Sequence, residues 1–418
     1  MLFKIKKFLI NFSKKNIVVR KLLRGTLYIK NYLIYKITTL FIKTDEKTII
    51  FGCFNGRNYS DSPKAIYKYM LSDEKYKDYK FIWAFSDMEK HSFLEKNKNT
   101  VVVKSKGISY YKALAKSKYW FFNYKIYDFI YPKNNQIFIQ CWHGTPLKRL
   151  GCDLQHFNNA MNTLKDMKKR YKKETTKFSY FLSPSEFCTE KFRSIWNMKE
   201  VGKEGCILEL GYPRNDFLYN YTREDVERIK SSLDIEGTNK KIILYAPTYR
   251  DNQHSSGVGY TYKTEVDFDK LQKELNNDYI ILFRAHWLVA NSFNFDKYKG
   301  FIYDVSNYDD INELYIVSDL LITDYSSVFF DYANLKRPII FYMYDLEAYR
   351  DDIRGFYLDI DKELPGPILK EEEDLISEIK NYSFSNNFYD EKYKKFNQKF
   401  NYLDDGKAAK RVVEKILK

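Results

Sequence analysis

The stretch Ser318-Asp319-Leu320-Leu321-Ile322-Thr323-Asp324-Tyr325-Ser326-Ser327-Val328-Phe329-Phe330-Asp331 sets the architecture of the whole chain. Leu320 to Thr323 is an apolar run of strand length. It breaks into polar residues suited to opening a helix, and a second apolar run, Pro338 to Phe341, follows. Strand, helix and strand in that order form a βαβ unit, which implies a parallel sheet.

The same rhythm extends upstream. Lys241 to Ala246 and Tyr279 to Arg284 read as strands of the same sheet. Thr48 to Phe54, Lys80 to Phe85, Val101 to Val103, Tyr119 to Asn123, Gln136 to Trp142, Tyr180 to Ser183 and Cys206 to Leu210 form an earlier series. Between the two series a charged helix opens at Thr222, with Asp225 in capping-box position. A chain of 418 residues is long enough for two cores. The expected organisation is α/β: a basic amphipathic helical segment over 1–47, a Rossmann-like doubly wound domain over 48–221 and a second over 222–403. A closing helix over 404–418, after the turn-like Asp404-Asp405-Gly406, packs back on the first domain. Two such domains facing each other place a ligand cleft at the carboxyl ends of both sheets.

Apolar residues make up 44% and aromatics 18%, which excludes a disordered chain. Five cysteines without a close pair argue against a disulfide framework or a zinc site. The net charge of +15 calls for an acidic partner. Eleven Lys and Arg, and no acid, lie in residues 1–43, interleaved with apolar residues at helical spacing. No apolar run there approaches the ~18 residues of a spanning helix, and no cleavable leader is visible. An interfacial helix on an anionic membrane surface is expected, against the plainer alternative of a basic hairpin packed on the body. The same interleaving argues against nucleic acid as a partner.

Four strand-end motifs carry the chemistry. His143 stands after a strand, followed by Gly144, Thr145, Pro146 and Lys148, with Pro146 suited to a first helical turn. That is the place for a proton acceptor facing a cleft, although a His satisfying its own loop is the bland alternative. Thr248 and Arg250 follow the first strand of the second domain and suit a phosphate clamp. Arg284 and His286 emerge on one side of the next strand. Thr323, Asp324, Ser326 and Ser327 open a helix whose free N–H groups and hydroxyls would hold an anion. Asp331, further along, could accept a ribose hydroxyl or simply be a solvated helix acid. No GxGxxG, P-loop or metal-ligand pattern is present, so neither a cofactor nor a metal is called for. His91, His156 and His254 look incidental, and Arg350 to Arg354 reads as a cleft-edge loop.

In order and spacing these motifs resemble the CDP-glycerol glycerophosphotransferase family of teichoic acid primases and polymerases, which includes ribitol-phosphate transferases and related capsule enzymes. The resemblance rests on CWHGTPLKRLGCD at 141–153, GYPRNDFL at 211–218, YAPTYRD at 245–251, RAH at 284–286 and the 318–342 stretch. RGFYLD at 354–359, LPGP at 364–367 and DGKAAKRVVEKIL at 405–417 extend it. It implies a GT-B-like fold with acceptor binding by the first domain and nucleotide binding by the second. It implies a CDP-polyol donor, a polyprenyl-diphosphate-linked or polymer acceptor, and a peripheral place on the cytoplasmic face of the cell membrane. Carried over by position, His143 would deprotonate the acceptor hydroxyl, and Arg284 and His286 would stabilise charge on the donor pyrophosphate. One departure is visible: Trp287 stands where the family continues with Pro. A GT-B sugar transferase using a nucleotide sugar is the nearest alternative, and a membrane scaffold without catalysis a more distant one.

Overall fold

A computed structural model describes residues 17–155, 163–248, 254–255, 259–260, 266–285, 294–347, 349, 355–381 and 390–417. Seven parallel strands form the first sheet: β1 (Asp45–Gly52), β2 (Lys80–Phe85), β3 (Thr100–Lys104), β4 (Ser117–Phe122), β5 (Ile137–Gln140), β6 (Tyr180–Ser183) and β7 (Ile207–Glu209). Their spatial order is β3-β2-β1-β4-β5-β6-β7. After β8 (Lys241–Ala246) come a small antiparallel pair, β9 (His254–Ser255) and β10 (Gly259–Tyr260), and then β11 (Tyr279–Phe283), β12 (Ile302–Asp304), β13 (Leu320–Thr323), β14 (Ile339–Tyr342) and β15 (Ile368–Leu369). The second sheet, also parallel, runs β12-β11-β8-β13-β14-β15. Both orders reverse beside their first strand, which opens a crevice at the strands' carboxyl ends.

These strands read as continuous apolar runs because helices cover both faces of a parallel sheet. Ile49, Ile50 and Phe51 of β1 are all fully buried, with neighbours facing opposite sides. On one face Phe51, Trp83, Phe85 and Phe121 stack with centroids 5.2–5.5 Å apart. β12 and β15, unread in the sequence, are edge strands of three and two residues, too short for a period.

The helix Arg223–Ser232 is capped reciprocally by Thr222 and Asp225. The last helix, Ala408–Ile416, buries Ala409, Val412, Val413 and Ile416 in the first domain's core. Its first amides are capped by Asp216, which accepts from Ala408 at 2.8 Å and Ala409 at 2.7 Å. At the other end of the chain, Ile17–Thr39 is one helix. Tyr35 is buried edge-on against Tyr111 at 5.4 Å, and its hydroxyl donates to the Tyr131 carbonyl. Leu22, Leu27, Ile29, Leu33, Ile37, Leu40 and Phe41 are exposed. Among the described residues no helix is long and apolar enough to cross a membrane.

Residues 211–221 lie between the sheets and tie them together. Arg214 is buried, donates to both carboxylate oxygens of Asp331 at 3.0 Å, and stands 3.7 Å from Asp61. Burial disfavours its charge, but the two carboxylates outweigh that and hold it fully protonated. A second seam joins Lys64 to Asp310 at 2.7 Å and Glu313 at 3.1 Å. In a third, Asp309 accepts from Lys90 at 2.5 Å and contacts His91 Nε2 at 3.1 Å. His91 is thus no incidental histidine: it is buried, stacked on Phe85, and part of the domain contact.

Two substitutions probe these constraints. A Cβ at Gly366, in the LPGP turn, would collide with the Ile339 carbonyl of β14. Gly366→Ala is expected to lower stability by about 1–3 kcal/mol through overpacking, read by urea unfolding. Asp331→Ala strands the buried guanidinium and is expected to cost about 3–5 kcal/mol in the same assay. Glu200→Ala, in an exposed pair with Lys172, should leave the transition unmoved.

Candidate active site

The first domain supplies the floor of the cleft from the ends of β1, β4 and β5. Backbone there is held in the left-handed region at four non-glycine residues: Phe54 (φ 45°), Asn55 (φ 59°), Asp61 (φ 62°) and Trp142 (φ 50°). Such conformations persist only where the surroundings over-determine them, and they cluster at functional sites. Trp142 is fixed by its buried ring against Trp196 at 5.3 Å and by its N–H donating to Gln140 Oε1 at 3.0 Å. The turn it makes delivers His143 into the cleft with the Trp142 ring 4.2 Å from the imidazole.

The His143 ring is open to the cavity while the two domains rise around it. Its Nδ1 lies 2.7 Å from the carbonyl oxygen of Asn123, which has no proton to give, so Nδ1 carries the hydrogen and Nε2 the lone pair. Desolvation lowers its pKa to about 4, with Arg214, Lys125 and Arg57 adding to the effect against the Asn123 hydrogen bond. The imidazole is neutral at physiological pH, as a general base must be. Asn123, the last residue of a strand read in the sequence, went unrecognised there: a positioning carbonyl leaves no side-chain signature.

No helix opens at Pro146. The backbone is instead extended, because its hydrogen bonds go to the RGFYLD segment: Arg149 N–H donates to Gly355 and Tyr357 N–H to Leu147. Lys148 pairs with Phe356 in an antiparallel bridge, and its Nζ donates to the Tyr349 hydroxyl at 3.0 Å. Lys148, read in the sequence as an acceptor-side group, lines the cleft, and its ammonium also joins this clasp between the domains. Thr145 is buried and accepts from Cys188 Sγ.

The second domain supplies the facing wall. Arg284, at the end of β11, is anchored by Nη1 donating to the Val305 and Tyr308 carbonyls at 3.0 and 2.9 Å. Of the cradle expected over Thr323–Ser327, Ser326 and Ser327 line the cavity. Thr323 is buried, its hydroxyl on the Ala246 carbonyl, and Asp324 accepts from the Thr248 and Tyr325 amides, so these two brace the loops. The helix itself starts later, at Val328, and has five residues. Asp331 is not a solvated helix acid: it lines the cleft but is neutralised by Arg214. Arg250 and His286, and the loop Arg350 to Arg354, lie outside the described residues.

The two walls meet closely. A Cβ on Gly144 would stand 3.0 Å from Ser327 Oγ, so glycine is what lets the His143 loop approach the serine turn. Two cavities of about 430 and 490 Å³ share His143, Arg284 and Ser327, and together form the cleft. That is room for a nucleotide-sized ligand. A base, an anchored guanidinium and paired hydroxyls opposed across it suit transfer of a phosphate-bearing group.

Comparison with known proteins agrees. Residues 34–418 match the model of the family described as CDP-Glycerol:Poly(glycerophosphate) glycerophosphotransferase. The chain is 39% identical to the teichoic acid poly(glycerol phosphate) polymerase of Bacillus subtilis over 99% of its own length and 55% of that protein's, so it spans about half of that relative. It is 38% identical to the teichoic acid glycerol-phosphate transferase of Staphylococcus aureus, covering 92% of this chain and 97% of the other. A solved structure of the wall teichoic acid polymerase TagF superposes with a TM-score of 0.82 at 39% identity, covering 95% of this chain and 96% of that one, and the fold is GT-B-like. The chain therefore belongs to the CDP-glycerol:poly(glycerophosphate) glycerophosphotransferase family.

Proposed function

We propose that this chain transfers a polyol phosphate, glycerol phosphate first among the candidates, from a CDP-activated donor to a hydroxyl of a membrane-linked acceptor in the synthesis of a teichoic acid or capsule-type polymer. The observation that carries this is the His143 imidazole, whose Nδ1–H is committed to Asn123 and whose Nε2 opens into a cleft faced by Arg284 and Ser327. The acceptor hydroxyl passes its proton to Nε2 as its oxygen bonds to the donor's β-phosphorus in line. The bond from that phosphorus to the bridging oxygen breaks, and CMP leaves with the oxygen. Arg284 with His286, and the Ser326 and Ser327 hydroxyls, stabilise the charge that gathers on the pyrophosphate; positioning and electrostatics supply most of the rate. Thr248 and Arg250 hold the nucleotide side.

CMP release from CDP-glycerol and CDP-ribitol, with an undecaprenyl-linked disaccharide on anionic liposomes, tests this. Acceptor-dependent release from one donor is expected, and His143→Ala should lower it by about 10²–10⁴ with its melting unchanged. Because protonating Nε2 removes the base and burial lowers that pKa, kcat/KM should hold level as pH falls from 8 to 6, its acid limb lying well below the ordinary histidine value. Release from a nucleotide sugar alone would establish the sugar-transferase alternative.

The site works, in this proposal, at the cytoplasmic face of the cell membrane. Support comes from the helix Ile17–Thr39 and the turn after it, where exposed Leu33, Ile37 and Phe41 stand among exposed Lys30, Lys36 and Lys43. Apolar insertion and roughly 1 kcal/mol per basic residue near anionic lipid would hold it there. Co-sedimentation with anionic vesicles is expected, lost in a Leu33→Glu, Ile37→Glu, Phe41→Glu variant; equal pelleting of the variant would refute it.

A further inference from the structure

Beyond the cleft, a separate cavity of about 420 Å³ opens between the helix Ile17–Thr39 and the first domain. Four cations reach its wall: Arg24 from that helix, Lys106 from the turn before the helix Ile108–Lys116, Lys125 from the loop after β4, and Arg170 from the helix Leu164–Thr175. The two acids there do not balance them. Glu174 is committed to Lys177 at 2.7 Å and accepts the Ile126 N–H, so Asp128 is the other acid lining the cavity among the described residues.

Lys125 is the most unusual of the four. Its Nζ sits 3.1 Å from the centroid of the Tyr171 ring and 5.3 Å from that of Trp196, with no carboxylate paired to it among the described residues. Burial pushes its pKa down to about 7, so a neighbouring anion would restore its charge. The helix Ile108–Lys116 adds a second donor set. Its N-cap is Gly107, in the left-handed region at φ 98°, with no side chain to cap the first amides. Ser105, Lys106 and Tyr110 of the same turn line the cavity. An uncapped helix start beside Lys106, Lys125 and Arg170 suits an anion by charge and by hydrogen-bond geometry.

The cavity adjoins the cleft, sharing Asn55 and Tyr124 as lining residues. Lys125 also follows by two residues the Asn123 carbonyl that orients His143.

We propose that this cavity binds the phosphate-bearing part of the acceptor, anchoring it on Lys106, Lys125 and Arg170 so that its hydroxyl reaches His143 from the side of the N-terminal helix. The inference rests on the polyol-phosphate transfer proposed above. The phosphate is either the diphosphate of a lipid carrier or a phosphodiester of a chain already begun; the recognition chemistry is shared.

Two measurements test it. In CMP release at saturating CDP-glycerol, Lys125→Met and Lys106→Ala are each expected to raise the acceptor KM about tenfold, the worth of one charge-assisted contact, with kcat and the CDP-glycerol KM within about twofold. Lys125→Arg should recover most of the loss, which a packing role alone would not give. An effect confined to an undecaprenyl-diphosphate disaccharide assigns the phosphate to the carrier. An effect on soluble oligo(glycerol phosphate) assigns it to the chain. Unchanged acceptor KM in both variants, or a raised donor KM, overturns the proposal.

Calorimetric titration with inorganic pyrophosphate, in saturating CMP to occupy the cleft, reads the site without turnover. Wild type should bind and the Lys125→Met, Arg170→Ala variant bind about tenfold or more weakly; equal binding, or none by wild type, overturns the proposal. Absence of CMP release by wild type with pyrophosphate binding intact would instead count against the transfer reaction alone.

Discussion

Arg214 is the constraint on which the rest of the structure hangs. A guanidinium cannot shed its proton, so a buried one must be met by carboxylates wherever they can be found. Here they come from two domains: Asp61 from the start of a first-domain helix and Asp331 from the helix behind the serine turn. Moving the domains apart would strand a charge in an apolar setting, whereas sliding one over the other would break the bidentate geometry. The neighbouring Asn215 continues the network by donating to both Asp331 and Asp404, and Asp404 in turn accepts from the Tyr212 amide and Asn334. The DGKAAK turn is thereby tied to the same junction that positions the cleft.

That junction fixes His143 as well as the walls. Asp61 adopts its left-handed backbone beside Arg214, and its carboxyl is pushed up by burial although the guanidinium pulls it back down. Phe54, Asn55 and Trp142 share the same uncommon backbone region around His143. Strain of this kind, of order 1–3 kcal/mol per residue, is sustained by tight surroundings rather than by the loops themselves. The result is an imidazole held by a carbonyl on one nitrogen and open on the other. Desolvation between the domains keeps it neutral, neighbouring cations add to that, and no carboxylate is needed behind it.

Much of this was legible in the sequence because parallel strands buried on both faces leave unbroken apolar runs. Lys80–Phe85, Tyr180–Ser183, Lys241–Ala246 and Leu320–Thr323 could be read to the residue. The edge strands Ile302–Asp304 and Ile368–Leu369 could not, being too short to show a period. Strand ends pointed to His143, Arg284 and Ser327, since chemistry in such folds gathers there. Partners escaped notice where their contribution is backbone, as at Asn123, or spans a long separation, as between Arg214 and Asp331, 117 residues apart. Composition alone could not tell that Thr323 and Asp324 turn inward to brace the loops while Ser326 and Ser327, two residues later, face the cavity.

The distribution of acids around the cleft fits the charge of the proposed donor and acceptor. A carboxylate left bare within a few ångström of a pyrophosphate would repel it by several kcal/mol at the low effective dielectric of a closed site. Among the described residues the acids that line or brace the cleft are answered by the protein itself: Asp61 and Asp331 by Arg214, Asp310 by Lys64, Asp309 by Lys90 and His91, and Asp324 by two backbone amides. Arg284 is different, since its Nη1 is spent on neutral carbonyls and, among the described residues, no carboxylate is paired with it. Positive potential therefore survives on the second-domain wall and in the basic cavity beneath the N-terminal helix, with the neutral histidine between them. A reaction that joins an anionic donor to an anionic acceptor through an uncharged hydroxyl needs that ordering of charge.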